Sequence, residues 1–154
     1  MLLETEALRL LGALDISTPS RIEVHGSADL TEADLAQLPG RRVVVKVLSP
    51  DILHKSDVGG VVVAPRHIET VVATIRAMEI RFADRLVVGY GIFEFVEYDH
   101  SLGGELLVGM RWTNDFGPVV TLGVGGVFTE FLSSNLRPGR DVAIFSPRLT
   151  TRES

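Results

Sequence analysis

Cysteine is absent from this 154-residue chain. That excludes disulfides and thiolate metal sites and leaves the redox compartment unmarked. Lysine is almost absent: Lys46 and Lys55 are the only two, and arginine supplies the rest of the 15 basic residues. Aromatic residues make up 6% of the chain, and no apolar run approaches the roughly 20 residues that a membrane-spanning helix needs. No basic-then-apolar leader opens the sequence, since Glu4 and Glu6 interrupt the early leucines. The expectation is therefore a cytoplasmic protein without a membrane segment. A net charge of −5 argues against a nucleic-acid partner, which would require a basic face. An apolar fraction of 45% over this length suffices for a domain with a real core.

The chemistry is concentrated in Val43–Val63, VVVKVLSPDILHKSDVGGVVV, which holds both lysines. Where surface basicity is met by arginine, a lysine is best explained by a need for a compact, mobile ammonium in place of a rigid guanidinium fork. Ser49-Pro50-Asp51 signals a bend between the two. His54 precedes Lys55, and Ser56, Asp57 and the Gly59-Gly60 pair follow it. A cation on a strand, a second cation beside an imidazole, and glycines that let backbone N–H groups come close form a set suited to phosphate. Each residue also has a plainer reading. Lys46 fits equally as the exposed alternate of a half-buried strand. His54 could be a solvent-facing loop histidine, or a neutral imidazole that attacks phosphorus and passes the group on, with Lys55 offsetting its charge. Asp57 either orients the loop or caps a turn. His25, His67 and His100 sit in polar surroundings and read as surface residues.

Hydrophobic periodicity marks an amphipathic helix over 3–14, with Leu3, Ala7, Leu10, Leu11 and Leu14 on one stripe. A short strand follows at 21–24. Thr31-Glu-Ala-Asp34 has capping-box character and starts a short helix that ends near Pro39-Gly40. Strands are expected over 41–48, 61–64 and 86–96, the last with a bulge or a close backbone approach at Gly89 and Gly91. A helix spans about 67–83, with Ile68, Val71, Val72, Ile75 and Met78 buried. Residues 105–112 and 118–122 form an antiparallel pair. Hairpins mixed with helices indicate an α+β fold in preference to a doubly wound parallel sheet. Gly123-Val-Gly125-Gly126 is not a dinucleotide fingerprint, because Phe128 stands where the third glycine is needed, and no Walker-type word occurs.

Val45-Lys46-Val47 followed by SPDILHKSDVGGV at 49–61, together with GELLVGMRWTNDFGPVVTLGVGGVFTE at 104–130, resembles the ATP-grasp region of the NDP-forming acyl-CoA synthetases. This is the family of ADP-forming acetyl-CoA synthetase and, more distantly, of the nucleotide-binding subunit of succinyl-CoA synthetase. The resemblance covers most of 4–132 and implies an α+β, ATP-grasp-like fold of two lobes with a cleft between them. Lobe one would span about 19–93, and lobe two about 1–18 plus 97–154. The implied reaction is acyl-CoA + ADP + phosphate ⇌ carboxylic acid + CoA + ATP, through acyl phosphate and phosphohistidine.

Carried over residue by residue, the resemblance gives His54 the phosphoryl-carrier role and Lys46 the nucleotide phosphates. Lys55, Gly59, Gly60, Gly125 and Gly126 fall along the phosphoryl path. Glu94, Phe95 and Val96 fall at the strand that meets the adenine, and Glu105 matches a family glutamate. ATP or ADP is the implied nucleotide and Mg2+ the implied metal, but the family's metal-binding Asn-Pro word and final Asp-bearing strand are not found here, and the chain reads as C-terminally truncated. The partner implied is the CoA-binding, CoA-ligase half, on another chain or in a missing segment. The competing expectation is a nucleotide-binding or regulatory module without turnover that assembles with such a partner.

Overall fold

The computed structural model describes residues 3–52 and 54–150. They fall into two compact units, 1–96 and 97–154. In the first, α1 (Glu4–Ala13), β1 (Arg21–Val24), α2 (Glu32–Leu35), β2 (Arg42–Leu48), β3 (Val61–Pro65), α3 (Ile68–Arg81) and β4 (Gly89–Glu94) follow in order. The strands form one antiparallel sheet in the order β1-β4-β2-β3.

The core of this unit follows from strand alternation. Val43, Val45 and Val47 of β2 point to one face and are fully buried. Val71, Ile75 and Met78 on α3, one turn apart, close over them. Ile92 on β4 and Leu35 and Leu38 around α2 complete the cluster. Thr31 caps α2 as its spacing implies: the Asp34 N–H donates to the Thr31 hydroxyl, and the Thr31 N–H donates to the Asp34 carboxylate. Ile75 is wholly enclosed, so Ile75→Ala should cost about 3 kcal/mol through lost transfer energy and an unfilled cavity. Urea unfolding of the two proteins, compared at equal slope, checks this.

Two expectations change. The resemblance implies that residues 1–18 belong to the second lobe, whereas the described residues 3–18 fall in the first unit. Glu4 on α1 pairs with Lys46 of β2, Arg9 Nη2 donates to Glu23 Oε1 of β1 at 2.7 Å, and Thr5 of α1 is buried. The expected buried stripe of α1 also leaves Leu10, Leu11 and Leu14 exposed, with Thr5 the buried residue of that helix. At Gly89 and Gly91 the ladder runs on without a bulge. A Cβ at Gly89 would press on the Val24 carbonyl, and one at Gly91 on the Phe93 ring, so close approach is the reason for both glycines.

The second unit holds β5 (Leu106–Thr113), β6 (Gly117–Val124), α4 (Phe128–Asn135) and β7 (Val142–Phe145). Its sheet is antiparallel, in the order β5-β6-β7. Leu106, Val108, Met110 and Trp112 alternate along β5 and are largely exposed. They pair with Val124, Leu122, Val120 and Pro118 across the hairpin.

Candidate functional site

Lys46 follows the non-core alternation of β2 and is partly buried. Its ammonium is ion-paired with the Glu4 carboxylate and lies 4.7 Å from the centre of the Phe93 ring. The side chain is therefore held by a counter-ion and an aromatic face instead of trailing into bulk water. Neither partner was signalled by sequence: Glu4 lies 42 positions away, and its first-turn location marks it only as a favourable helix-start acid.

The loop after β2 returns to the same strand. Gly60 is buried, and its carbonyl accepts from the Val47 N–H at 2.9 Å. Its own N–H donates to the Lys55 carbonyl at 2.6 Å, and the Gly59 N–H donates to the Ser56 carbonyl at 3.2 Å. Gly59 has φ +72°, a left-handed conformation that glycine adopts without strain. These bonds close residues 55–60 into a compact turn beside Lys46, whose ladder partner is Val61. His54 stands exposed at the entrance of this turn, and Lys55 is half-buried.

From α3, Arg81 reaches this turn. Its Nη1 donates to the Val58 carbonyl at 3.2 Å, and its guanidinium occupies the space a Cβ on Gly59 would need. His54, Val58, Arg81 and Arg85 share a cavity of about 500 Å³ with Ile52 and Phe82. The part played by Arg81 was not legible in the sequence, where it reads as a basic residue ending a helix.

Glu94 closes β4. Its main-chain N–H donates to the Ser20 carbonyl at 2.9 Å, and its carboxylate accepts from the Ser20 N–H at 2.8 Å. The Ser20 hydroxyl and N–H together hold the Glu94 carboxyl below its usual value of 4.5. A depressed carboxyl contributes stability that is present above about 4.5 and is lost as pH falls through the folded value. Glu94→Gln should therefore flatten the acid limb of the stability profile while leaving neutral pH less stable than wild type; thermal melts between pH 3 and 7 check it. Phe95 is covered by the Arg42 guanidinium, 3.9 Å from its ring centre, and Val96 is exposed.

The remaining expected residues lie in the second unit. The Gly125 N–H donates to the Glu105 carbonyl at 2.9 Å, and the Glu105 carboxylate sits where a Cβ on Gly126 would be. Gly126 has φ +66° and leads into α4. Glu105 and Gly126, with Tyr98, His100, Thr129 and Glu130, line a cavity of about 550 Å³. Thus Lys46, His54, Lys55, Gly59 and Gly60 are gathered in one unit and Glu105, Gly125 and Gly126 in the other. Among the described residues no group of three or more His, Asp or Glu side chains is placed to hold a metal. No helix among the described residues is long and apolar enough to cross a membrane.

Residues 1–150 of this α+β chain match the ATP-grasp domain family; the chain belongs to that family. It is 36% identical over 124 residues to acetate–CoA ligase [ADP-forming] I of Archaeoglobus fulgidus, covering 79% of this chain and 16% of that protein. It is 36% identical over 94 residues to the beta subunit of acetate–CoA ligase [ADP-forming] I of Pyrococcus furiosus, covering 60% of this chain and 40% of that subunit.

Its fold is similar to that of the dinucleotide-forming acetyl-coenzyme A synthetase 1 of Candidatus Korarchaeum cryptofilum in complex with coenzyme A and Ca-AMPCP. That match has a TM-score of 0.73 at 29% identity over 97% of this chain and 61% of that one. A second structure of that synthetase, with coenzyme A and Mg-AMPPCP, has its phosphohistidine segment pointing towards the nucleotide binding site; it matches at TM-score 0.64 and 30% identity, over 97% and 58%. The chain therefore spans a minor share of the ligases' length and about three fifths of the solved chain.

Proposed function

We propose that this chain is the nucleotide-binding portion of an ADP-forming acyl-CoA synthetase, in which Lys46 holds nucleotide phosphates and His54 carries the phosphoryl group. The observation that supports this most is the Val47–Gly60 hydrogen bond, which ties the His54 turn to the strand that bears Lys46. A carrier histidine must be reachable, near a cation, and next to the phosphate it collects; His54 is exposed, adjoins Lys55, and opens onto that strand. Gly59 and Gly60 keep side chains out of the path. Glu105, Gly125 and Gly126 supply a glycine turn at a helix start, and Val96, just past the Glu94 and Phe95 N–H groups that are bonded to Ser20 and Arg42, offers main-chain groups for a base. The partner is the CoA-binding half, consistent with the separate beta subunit among the relatives.

A second reading, a nucleotide-binding or regulatory module without turnover, draws support from the lack of a metal-holding carboxylate group among the described residues. Calorimetric titration of the chain with ATP and ADP, with and without magnesium, tests both. Binding together with turnover in the presence of a CoA-binding partner supports the first reading, binding without turnover the second, and no heat in any titration overturns both.

A further inference from the structure

We propose that the cavity between the His54 turn and the C-terminal end of α3 is a phosphoryl-holding site, in which Arg81 and Arg85 receive the dianion once His54 is phosphorylated. The proposal rests on the reading of His54 as a carrier and adds the groups that stabilise its loaded form. Three observations carry it. First, His54, Arg81 and Arg85 line one cavity of about 500 Å³, large enough for a phosphoryl group beside the imidazole. Second, Arg81 is fixed in place: one Nη1–H bond to the Val58 carbonyl and packing on Gly59 orient its guanidinium, which has five N–H donors in all. Third, Arg85 is weakly committed, its Nε lying 4.0 Å from Asp84 Oδ1 with both side chains mostly exposed, so a doubly charged acceptor outcompetes that carboxylate.

Guanidinium forks match phosphoryl oxygens in geometry and charge better than any other side chain. Asp51 and Asp84 also line the cavity. Their charges oppose a resident anion, so the site favours loaded His54 over free phosphate, because covalent attachment supplies the proximity that free phosphate lacks.

The test needs neither nucleotide nor metal. Phosphoramidate, a small N-phosphoryl donor, is incubated with the full chain. Its N–P bond breaks as a P–N bond forms to the imidazole, and ammonium leaves with the proton the imidazole loses. Phosphorus NMR then reads the titration of each phosphohistidine, with His54→Asn assigning the His54 signal against those of His25, His67 and His100. The expected result is a phosphorylated His54 whose free ring nitrogen takes up its proton at a pH at least about half a unit below the other three, because guanidinium charge against the phosphoryl group disfavours a further positive charge on the ring. Arg85→Gln, an exposed change that leaves the fold in place, should remove part of the shift, and Arg81→Gln with Arg85→Gln all of it. Equal titration of His54 in wild type and double variant would overturn the holding site while leaving the carrier reading standing. Phosphorylation of His25, His67 and His100 without His54 would overturn both.

Discussion

His54→Asn, placed in a synthetase that contains this domain together with its CoA-binding half, should lower overall turnover by orders of magnitude while the fold survives. Asparagine keeps a polar side chain on an exposed turn but has no nucleophilic ring nitrogen, so the transfer proposed through His54 could not form its covalent intermediate. With labelled γ-phosphate, the parent synthetase should show transient label on His54 that is labile in acid and stable in base, as a phosphoramidate is. The variant should show none. Unaltered turnover in the asparagine variant would mean that the phosphoryl group travels by another route.

Lys46→Ala should weaken nucleotide binding about ten- to a hundredfold, the range expected when one charge-assisted hydrogen bond is removed. Lys46→Arg should recover little of it. The ammonium sits against the Phe93 ring and the Glu4 carboxylate, a space shaped for a point charge, and a planar fork re-aims its donors. Both variants are compared with wild type by calorimetric titration with ADP. Equal affinity for all three proteins would return Lys46 to a role in the sheet alone, as the partner of Glu4 that fastens α1.

Much of the first unit is written locally. The β-branched run at 43–47 alternates so regularly that its buried face follows from the letters, and Thr31 with Asp34 fixes the start of α2 within one turn. The apolar spacing of Val71, Ile75 and Met78 does the same for α3. What the letters do not hold are contacts between distant segments. The Glu4–Lys46 pair is one of the contacts that hold α1 on the first unit, and helix periodicity carries no information about a partner 42 positions away. Arg81 meets Gly59 only because α3 folds back across the sheet. β7 escaped notice because Val142–Phe145 is short and mostly exposed, without the polar alternation that marks a half-buried strand. The candidate site divides in the same way: the lysine, histidine and glycines stand out as residue types, whereas their counter-ion, aromatic floor and flanking arginines come from tertiary structure.

The bond from the Val47 N–H to the Gly60 carbonyl also sets a length. It makes Gly60 a fixed pivot, and His54 lies six positions before it. A chain of six residues spans at most about 20 Å when drawn straight, and the bonds to the Lys55 and Ser56 carbonyls shorten it, so a sphere of about that radius is the outer bound on where His54 can stand. Any donor and any acceptor served by His54 without breaking the pivot must both lie inside that sphere. On the proposed carrier role of His54, its reach is a matter of leash and anchor, and inserting residues between Lys55 and Gly59 would change which sites it can serve.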